Sequence, residues 1–340
     1  MKLKSIVIFL LSGSSVAMAQ TDSITQEQRR PLNLTVEARA DYQRASSDGT
    51  NIKEASGFKG NIVDVVLKGH ITSKFSYAYR QRLNTINKDK SFFDSTDWLN
   101  IRYQANDNIA VTAGKSIVWV GGWELEPAPI DCYALSEFCY NFSCYQWGVS
   151  ADFTINNGKD NFTAQVCQSP FWSMSPDTYS YNIMWHGQHG FFEPLWSINM
   201  MEYEPNKFIN YIALGNRFHL GPVRIDLDLL NRASSGQTFI GRDCTIAGQV
   251  CYRPITQLNL FAKVSYDVNK SGTTADHCVY NGTEITRIGG GAEYFPLKDE
   301  RIRIHGYYSY AFGKNTNPNG VLTDKYSLLN LGVTWRMKVL

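Results

Sequence analysis

Period-two alternation of apolar and polar residues recurs along nearly the whole chain, and it dictates strands. Successive strand side chains point to opposite faces, so alternation makes one face apolar and the other polar. Leu32, Leu34, Val36, Ala38, Ala40 and Tyr42 share one face of the first such segment, opposite Asn33, Thr35, Glu37, Arg39 and Asp41. Farther on, Ile71, Phe75, Tyr77 and Tyr79 oppose Thr72, Lys74, Ser76 and Arg80. The pattern returns at 223–229, 258–267 and 301–310, with Leu260 and Val264 on the apolar face of the second of these and Lys263 and Ser265 on the other. Runs of roughly 9–13 residues exceed the mode of about 5–6 for soluble strands and suit tilted membrane strands.

Connections alternate in length as well. Short polar turns are expected at Lys68-Gly69-His70, Ala105 to Asn108, Leu220-Gly221-Pro222, Arg253 to Thr256 and Leu297 to Glu300. Longer Ser-, Gly- and Asn-rich stretches lie between them, at 44–56, 84–96, 232–242, 269–282 and 313–324. Short turns at one end and long loops at the other typify outer-membrane barrels, and dividing the chain this way gives about sixteen strands. The weakest alternation is near 181–187 and 195–203. In lipid every backbone polar group must be paired internally, so an all-strand membrane protein has to close. The expected fold is therefore an all-β, transmembrane antiparallel β-barrel with a lumen wide enough for water. A secreted soluble β-protein explains the alternation but not the rhythm of turns and loops.

The N-terminus agrees with export. Lys2 and Lys4 precede an apolar run from Ile6 to Leu11 and then Ala17-Met18-Ala19, the three parts of a secretory signal. Residues 1–19 are expected to be the leader and 20–340 the barrel domain of the cell outer membrane. The 19 Tyr and 8 Trp suit belts at the two membrane interfaces. Without Lys2 and Lys4 the 33 basic residues fall to 31, matching the 31 acidic ones. Such balance leaves no electrostatic footprint for nucleic acid. Seven cysteines in an exported chain leave at least one thiol without an internal partner. A disulfide among Cys132, Cys139 and Cys144 is open, and no spacing matches a zinc signature.

If the apolar faces meet lipid, the polar faces line the lumen. The pore-lining candidates are Arg39, Lys74, Arg80, Arg102, Arg224, Lys263, Arg287, Arg301, Arg303 and Arg336, interleaved with acidic positions such as Asp64, Asp226, Asp228 and Asp267. The longest loop, about 116–143, follows the fifth strand and is too apolar and aromatic to lie loose outside. It is expected to fold inward and narrow the lumen, placing Glu124, Glu126, Asp131 and Glu137 at or near the constriction.

Several stretches carry a family likeness: 75–83, Asp97-Trp98-Leu99-Asn100, Gly114-Lys115, and Gly121-Gly122-Trp123-Glu124 through Ala128-Pro129-Ile130-Asp131. They resemble the phosphate-selective porin O and P family, in particular its Bacteroidetes-type members. The resemblance implies a sixteen-stranded outer-membrane porin, a homotrimer, with an inward-folded third loop. Its function would be passive diffusion of small solutes and ions, with phosphate-type anions among the candidates. The named selectivity depends on ladders of Arg and Lys, whereas here basic and acidic wall positions alternate. A receptor or scaffold barrel without a conducting pore is the alternative. Catalytic, metal and cofactor sites are not expected. No G-x-S-x-G elbow occurs, and His186-Gly187-Gln188-His189 lacks the Glu of a zinc-protease helix.

Overall fold

The computed structural model describes residues 31–87, 90–234, 241–318 and 325–340. The expected leader, 1–19, lies outside them, as do parts of the stretches 84–96, 232–242 and 313–324. In chain order the strands are β1 (Asn33–Ser47), β2 (Thr50–Asn51), β3 (Gly57–His70), β4 (Phe75–Arg82), β5 (Thr96–Asn106), β6 (Ile109–Ile117), β7 (Tyr145–Ile155), β8 (Asp160–Gln168) and β9 (Tyr179–Gly187). They continue as β10 (Phe192–Glu204), β11 (Lys207–Leu220), β12 (Val223–Ser234), β13 (Asp243–Ile255), β14 (Leu258–Asn269), β15 (Glu284–Tyr294), β16 (Ile302–Lys314) and β17 (Lys325–Lys338). β2 is a two-residue extension of the first hairpin, which leaves sixteen full strands.

Each strand pairs antiparallel with its sequence neighbours. The ends meet where β1 pairs with β17, from Thr35 opposite Lys338 to Ser47 opposite Tyr326. Among the described strands closure leaves no unpaired edge, which is what lipid requires of a strand protein. The alternation sorts side chains as expected. Leu260 and Val264 are exposed on the outside, whereas Ser265 and Asp267 on the same strand are each 1% exposed inside.

The tight connections fall at one end, at 71–74, 107–108, 156–159, 188–191, 221–222, 256–257 and 295–301. One expectation is corrected here. Lys68-Gly69-His70 is the end of β3, and the turn comes at 71–74, because Ile71 and Thr72 N–H groups both donate to the Phe75 carbonyl. At the other end one connection is not long. Glu204 and Lys207 are joined through Pro205-Asn206, with Asn206 at φ +61°. Proline presets the first turn position and asparagine tolerates the left-handed second, so β10 and β11 form a tight hairpin.

The interior is not uniformly polar. Buried Val118, Phe138, Phe142, Phe171, Met201, Ile209, Tyr211, Leu230 and Val279 form one apolar cluster between β10–β12 and three of the connections. On β11 the inward positions are Ile209, Tyr211 and Ala213, so the usual polarity is inverted there. All seven cysteines are free thiols, and the disulfide left open by the sequence does not form.

Candidate functional site

The connection between β6 and β7, residues 118–144, is the longest in the chain and carries the Gly-Gly-Trp-Glu and Pro-Ile-Asp motifs. Its neck is closed by the Val118 N–H donating to the Cys144 carbonyl at 2.8 Å. From there it is fastened, one contact after another, to strands around the barrel.

The first fastening is to β10 and β11. Gly121 N–H donates to Ser197 Oγ at 2.8 Å, and Gly122 N–H to the Leu195 carbonyl at 3.1 Å. A Cβ on Gly121 would lie 2.5 Å from the Leu195 oxygen, and one on Gly215 would lie 2.7 Å from Gly122 Cα. Gly122 also sits at φ +108°. Only glycine lets this backbone touch the wall, which is the physical content of the motif. Trp123 follows, with the Arg217 guanidinium 3.6 Å from its ring centroid. The Asp228 carboxylate accepts from both the Trp123 and Glu124 N–H groups, at 2.9 and 2.8 Å.

Next, Glu124 pairs with Lys263 of β14 at 2.6 Å and accepts from the Ser136 N–H at 2.8 Å. A single 3-10 turn, Pro129–Asp131, with proline at its start, then presents Asp131. Both Asp131 oxygens accept from Arg336 Nη2 at 2.7 Å, and Oδ1 also from Arg303 Nη1 at 2.7 Å. The backbone is held too: Arg303 Nη2 donates to the Ile130 carbonyl at 2.8 Å, and Arg39 Nη1 to that of Cys132 at 3.0 Å. Tyr133 stacks on Phe261 with centroids 5.2 Å apart, and its hydroxyl donates to Glu293 at 3.1 Å.

Last, the short helix α1 (Glu137–Asn141) is capped by Ser136, whose side chain accepts from the Cys139 N–H. The Asp267 carboxylate accepts from the Glu137 and Phe138 N–H groups at 2.9 and 3.2 Å. Asn141 Nδ2 donates to the Cys278 carbonyl at 2.8 Å, tying α1 to the 270–283 connection, which is itself anchored by Arg232 on Asp276 at 2.5 Å.

The fate of the candidates follows from these contacts. Arg39, Arg80, Arg102, Arg224, Lys263, Arg287, Arg303 and Arg336 all stand on the inner face, and each meets a carboxylate. Arg39 pairs with Asp41 and Arg80 with Asp97, at 2.8 and 2.7 Å. Arg102 pairs with Asp152. Arg224 lies 3.3 Å from Asp226, and Arg287 lies 3.8 Å from Glu137. Lys74 and Arg301 do not reach the wall. Both sit in exposed tight connections, Arg301 beside Asp299 at 2.8 Å, because β4 and β16 begin one residue later. Glu124, Asp131 and Glu137 each join a wall cation. Glu126 does not, and among the described residues no donor reaches its Oε1.

Electrostatics separate these loop acids. Burial works against the Asp131 charge, but Arg303 and Arg336 outweigh it and hold the carboxyl below the usual carboxylate range. Lys263 and Ser136 do the same for Glu124 against its burial. Burial pushes Glu126 up instead, with Arg217 and Arg224 only partly offsetting it. Burial also pushes the Cys132 thiol up to about 11 and that of Cys144 to about 12, so neither is a ready thiolate. Sequence reasoning missed Arg217, Arg232 and the capping roles of Asp228 and Asp267. Arg217 sits on β11, where the inverted polarity hides the inward face; the caps act on loop N–H groups that alternation does not register.

The model of a family described as phosphate-selective porin O and P matches residues 32–189. Over those residues the chain is similar to this family. With the closed sixteen-strand barrel, the match makes it an outer-membrane porin, a channel for passive diffusion, and both point to a channel rather than an enzyme. Solved structures agree on the fold. An anion-selective porin from Comamonas acidovorans superimposes with a TM-score of 0.65 at 9% identity, covering 90% of this chain and 99% of that one. OmpT of Vibrio cholerae, in a trimer form, gives 0.61 at 12% identity, with 90% and 99% covered. The outer-membrane channel DcaP of Acinetobacter baumannii gives 0.61 at 10% identity, with 90% and 96% covered. No curated protein matches this porin by sequence.

Proposed function

We propose that residues 118–144 lie in the lumen and form the constriction of a general channel for small solutes, with phosphate-type anions among them and only modest charge selectivity. What carries this reading is the course of the loop's bonds, from Ser197 on β10 through Asp228, Lys263 and Arg303 to Arg336 on β17, all inner-face residues. A segment joined to inner-face residues from β10 around to β17 crosses the lumen and narrows what remains. The open path then runs along the β3–β7 wall, where the partly exposed Arg82 and Arg102 stand. Low dielectric focuses the field at such a narrowing, so a few local charges decide what passes. The paired state of Glu124, Asp131 and Glu137 supports weak selectivity.

The trimeric form of OmpT supports a homotrimer here, embedded in outer-membrane lipid. Residues 1–19 would be the cleaved leader, checked by N-terminal sequencing of the mature protein. The apolar cluster that fills part of the interior favours the second reading, a receptor or scaffold with no conducting path. Planar-bilayer recordings separate the two. The wild type should conduct in KCl, and a variant with residues 125–132 replaced by a short Gly-Ser linker should conduct more. A silent wild type would leave the scaffold reading; an unchanged conductance after shortening would put the loop outside the pore.

A further inference from the structure

The connection between β4 and β5 lies against the outside of the barrel. β4 ends at Arg82, opposite Asp64, while β3 runs on to Gly57. The connection itself covers the upper part of β3: Asn84 Oδ1 accepts from the Val63 N–H at 3.1 Å, and Asn84 Nδ2 donates to the Asn61 carbonyl at 2.8 Å. Residues 90–95 then fold over the wall. Lys115 is paired with Leu99 and Trp147, both exposed on the outside, so its side chain starts on the outer face too. It is buried all the same, and its Nζ donates to the Phe93 carbonyl at 2.7 Å. Gln81 and Thr96 are buried under the same residues, both donating to the Phe92 carbonyl, at 3.1 and 2.9 Å.

Depth decides what can cover this arrangement. β6 leaves its tight turn at Ile109 and reaches Lys115 after about 20 Å of strand, or about 15 Å of height at a tilt of about 40°. By the same measure β4 is only about 20 Å tall. The apolar band of an outer-membrane barrel is about 25 Å tall. The top of β4, the Lys115 ammonium and the Phe93 carbonyl therefore sit within the band, on its outer side. Irregular backbone and an ammonium are tolerated at that depth only where protein covers them. Residues 90–95 cover Lys115, but Leu83, Ile86, Phe92, Phe93 and Trp147 are themselves exposed.

We propose that the outer face of β3–β7, around this connection, is the contact with a second copy of the chain, and that Phe92 and Phe93 seat against the neighbour's wall. The proposal rests on the homotrimer reading and gives that trimer its face. The area suffices. Five strands about 4.8 Å apart and tilted about 40° span roughly 30 Å of circumference, and over a band about 25 Å tall they offer on the order of 750 Å². One partner in a stable interface buries about 800 Å². The five exposed side chains carry no charge, which suits the apolar wall of another barrel, and adjacent aromatics are common anchors of such contacts. The described chain also begins on this face, where the Tyr77 hydroxyl donates to the Pro31 carbonyl at 2.8 Å. Backbone outside the strands thus dresses both ends of it.

The test uses the full-length mature porin in outer-membrane vesicles, with a photoreactive benzophenone side chain in place of Phe93 or, as a control, of Ile246, exposed on β13 across the barrel. Illumination should join porin to porin through position 93 and not through position 246, in variants that keep heat-modifiable mobility. In detergent, Phe92→Asp with Phe93→Asp should raise the concentration at which the trimer half dissociates at least about tenfold, measured by sedimentation. Adducts of lipid or lipopolysaccharide alone at position 93, or porin adducts as strong at 246 as at 93, overturn the face and leave the trimer. A monomeric wild type removes the trimer and the face with it. A dimer joined through position 93 upholds the face and removes only the threefold count.

Discussion

Asp64 is a buried carboxylate, 1% exposed, and neither of its oxygens accepts a hydrogen bond from the described residues. It lies opposite Glu37 on β1 and Arg82 on β4, but Arg82 is already bound to Asp97 at 2.7 Å. Lost hydration then outweighs what Arg80 and Arg82, both shared with Asp97, return. Asp64→Asn, which keeps the shape, should leave the barrel as stable or more stable by about 1 kcal/mol in urea unfolding; a clear loss would reveal a partner for the charge. Leu260 and Val264 face outward, so replacing either by Arg near the membrane midplane should cost roughly 2–4 kcal/mol. Ser265 faces inward, and by alternation alone an Arg there would meet water. The structure alters that expectation. Ser265 is 1% exposed, on the strand whose Phe261, Lys263 and Asp267 hold the loop. Ser265→Arg should therefore destabilise as well, while Ser265→Ala should be neutral; free acceptance of the arginine would mean the loop is loosely held. Alternation tells which way a side chain points. It does not tell what already occupies the space it points into.

The loop between β6 and β7 was legible as an element and opaque as a site. Its length, its Gly-Gly-Trp-Glu run and its apolar character were all in the sequence, and glycines 121 and 122 prove to be where backbone meets wall. The roles of its acids could not be read. Glu124, Asp131 and Glu137 look alike as carboxylates in a loop, yet they act as fasteners because Lys263, Arg303, Arg336 and Arg287 come from strands more than a hundred residues away. The fastening should respond to pH in a defined direction. Asp131 is held below its ordinary value of 3.8, so its contribution is fully present above that value and is lost only as pH falls through the lower folded value. Glu126 is raised above its ordinary 4.5, so it loses its charge first as pH falls, and its protonation favours the folded loop. Conductance should therefore stay level from neutral pH to below pH 4 and rise only in stronger acid, as Asp131 releases Arg303 and Arg336. A rise centred between pH 5 and 7 would show that some other group controls the loop. Asp131→Asn should raise conductance at neutral pH and remove the acid step.

At the scale of the molecule, the sixteen-strand barrel was the most legible feature, because each strand repeats the same constraint and closure follows from lipid. Strands β9 and β10 were the weakest in the sequence for a physical reason. β9 carries Met184 inward and β10 carries Leu195 and Met201 inward, so part of the inner face is apolar and alternation fades. Charge balance was legible too, and the structure gives it a geometry. Arg39, Arg80, Arg102, Arg217, Arg232, Lys263, Arg303 and Arg336 each lie against a carboxylate, so the wall presents pairs rather than a ladder of one sign. A pair looks like a dipole from a distance, and its field decays faster than that of a lone charge and is screened by salt within about 10 Å at 0.1 M. In a KCl gradient the wild-type reversal potential should therefore lie much closer to zero than to the equilibrium potential of either ion. Replacing chloride by phosphate should lower the current without abolishing it. The double variant Glu124→Gln with Asp131→Asn frees Lys263, Arg303 and Arg336 from their loop partners, and its reversal potential should move toward that of the anion. A wild-type channel already poised near the anion potential, or blocked by micromolar phosphate, would show that unpaired cations line the open path, and the paired wall would then not be what the permeating ion meets.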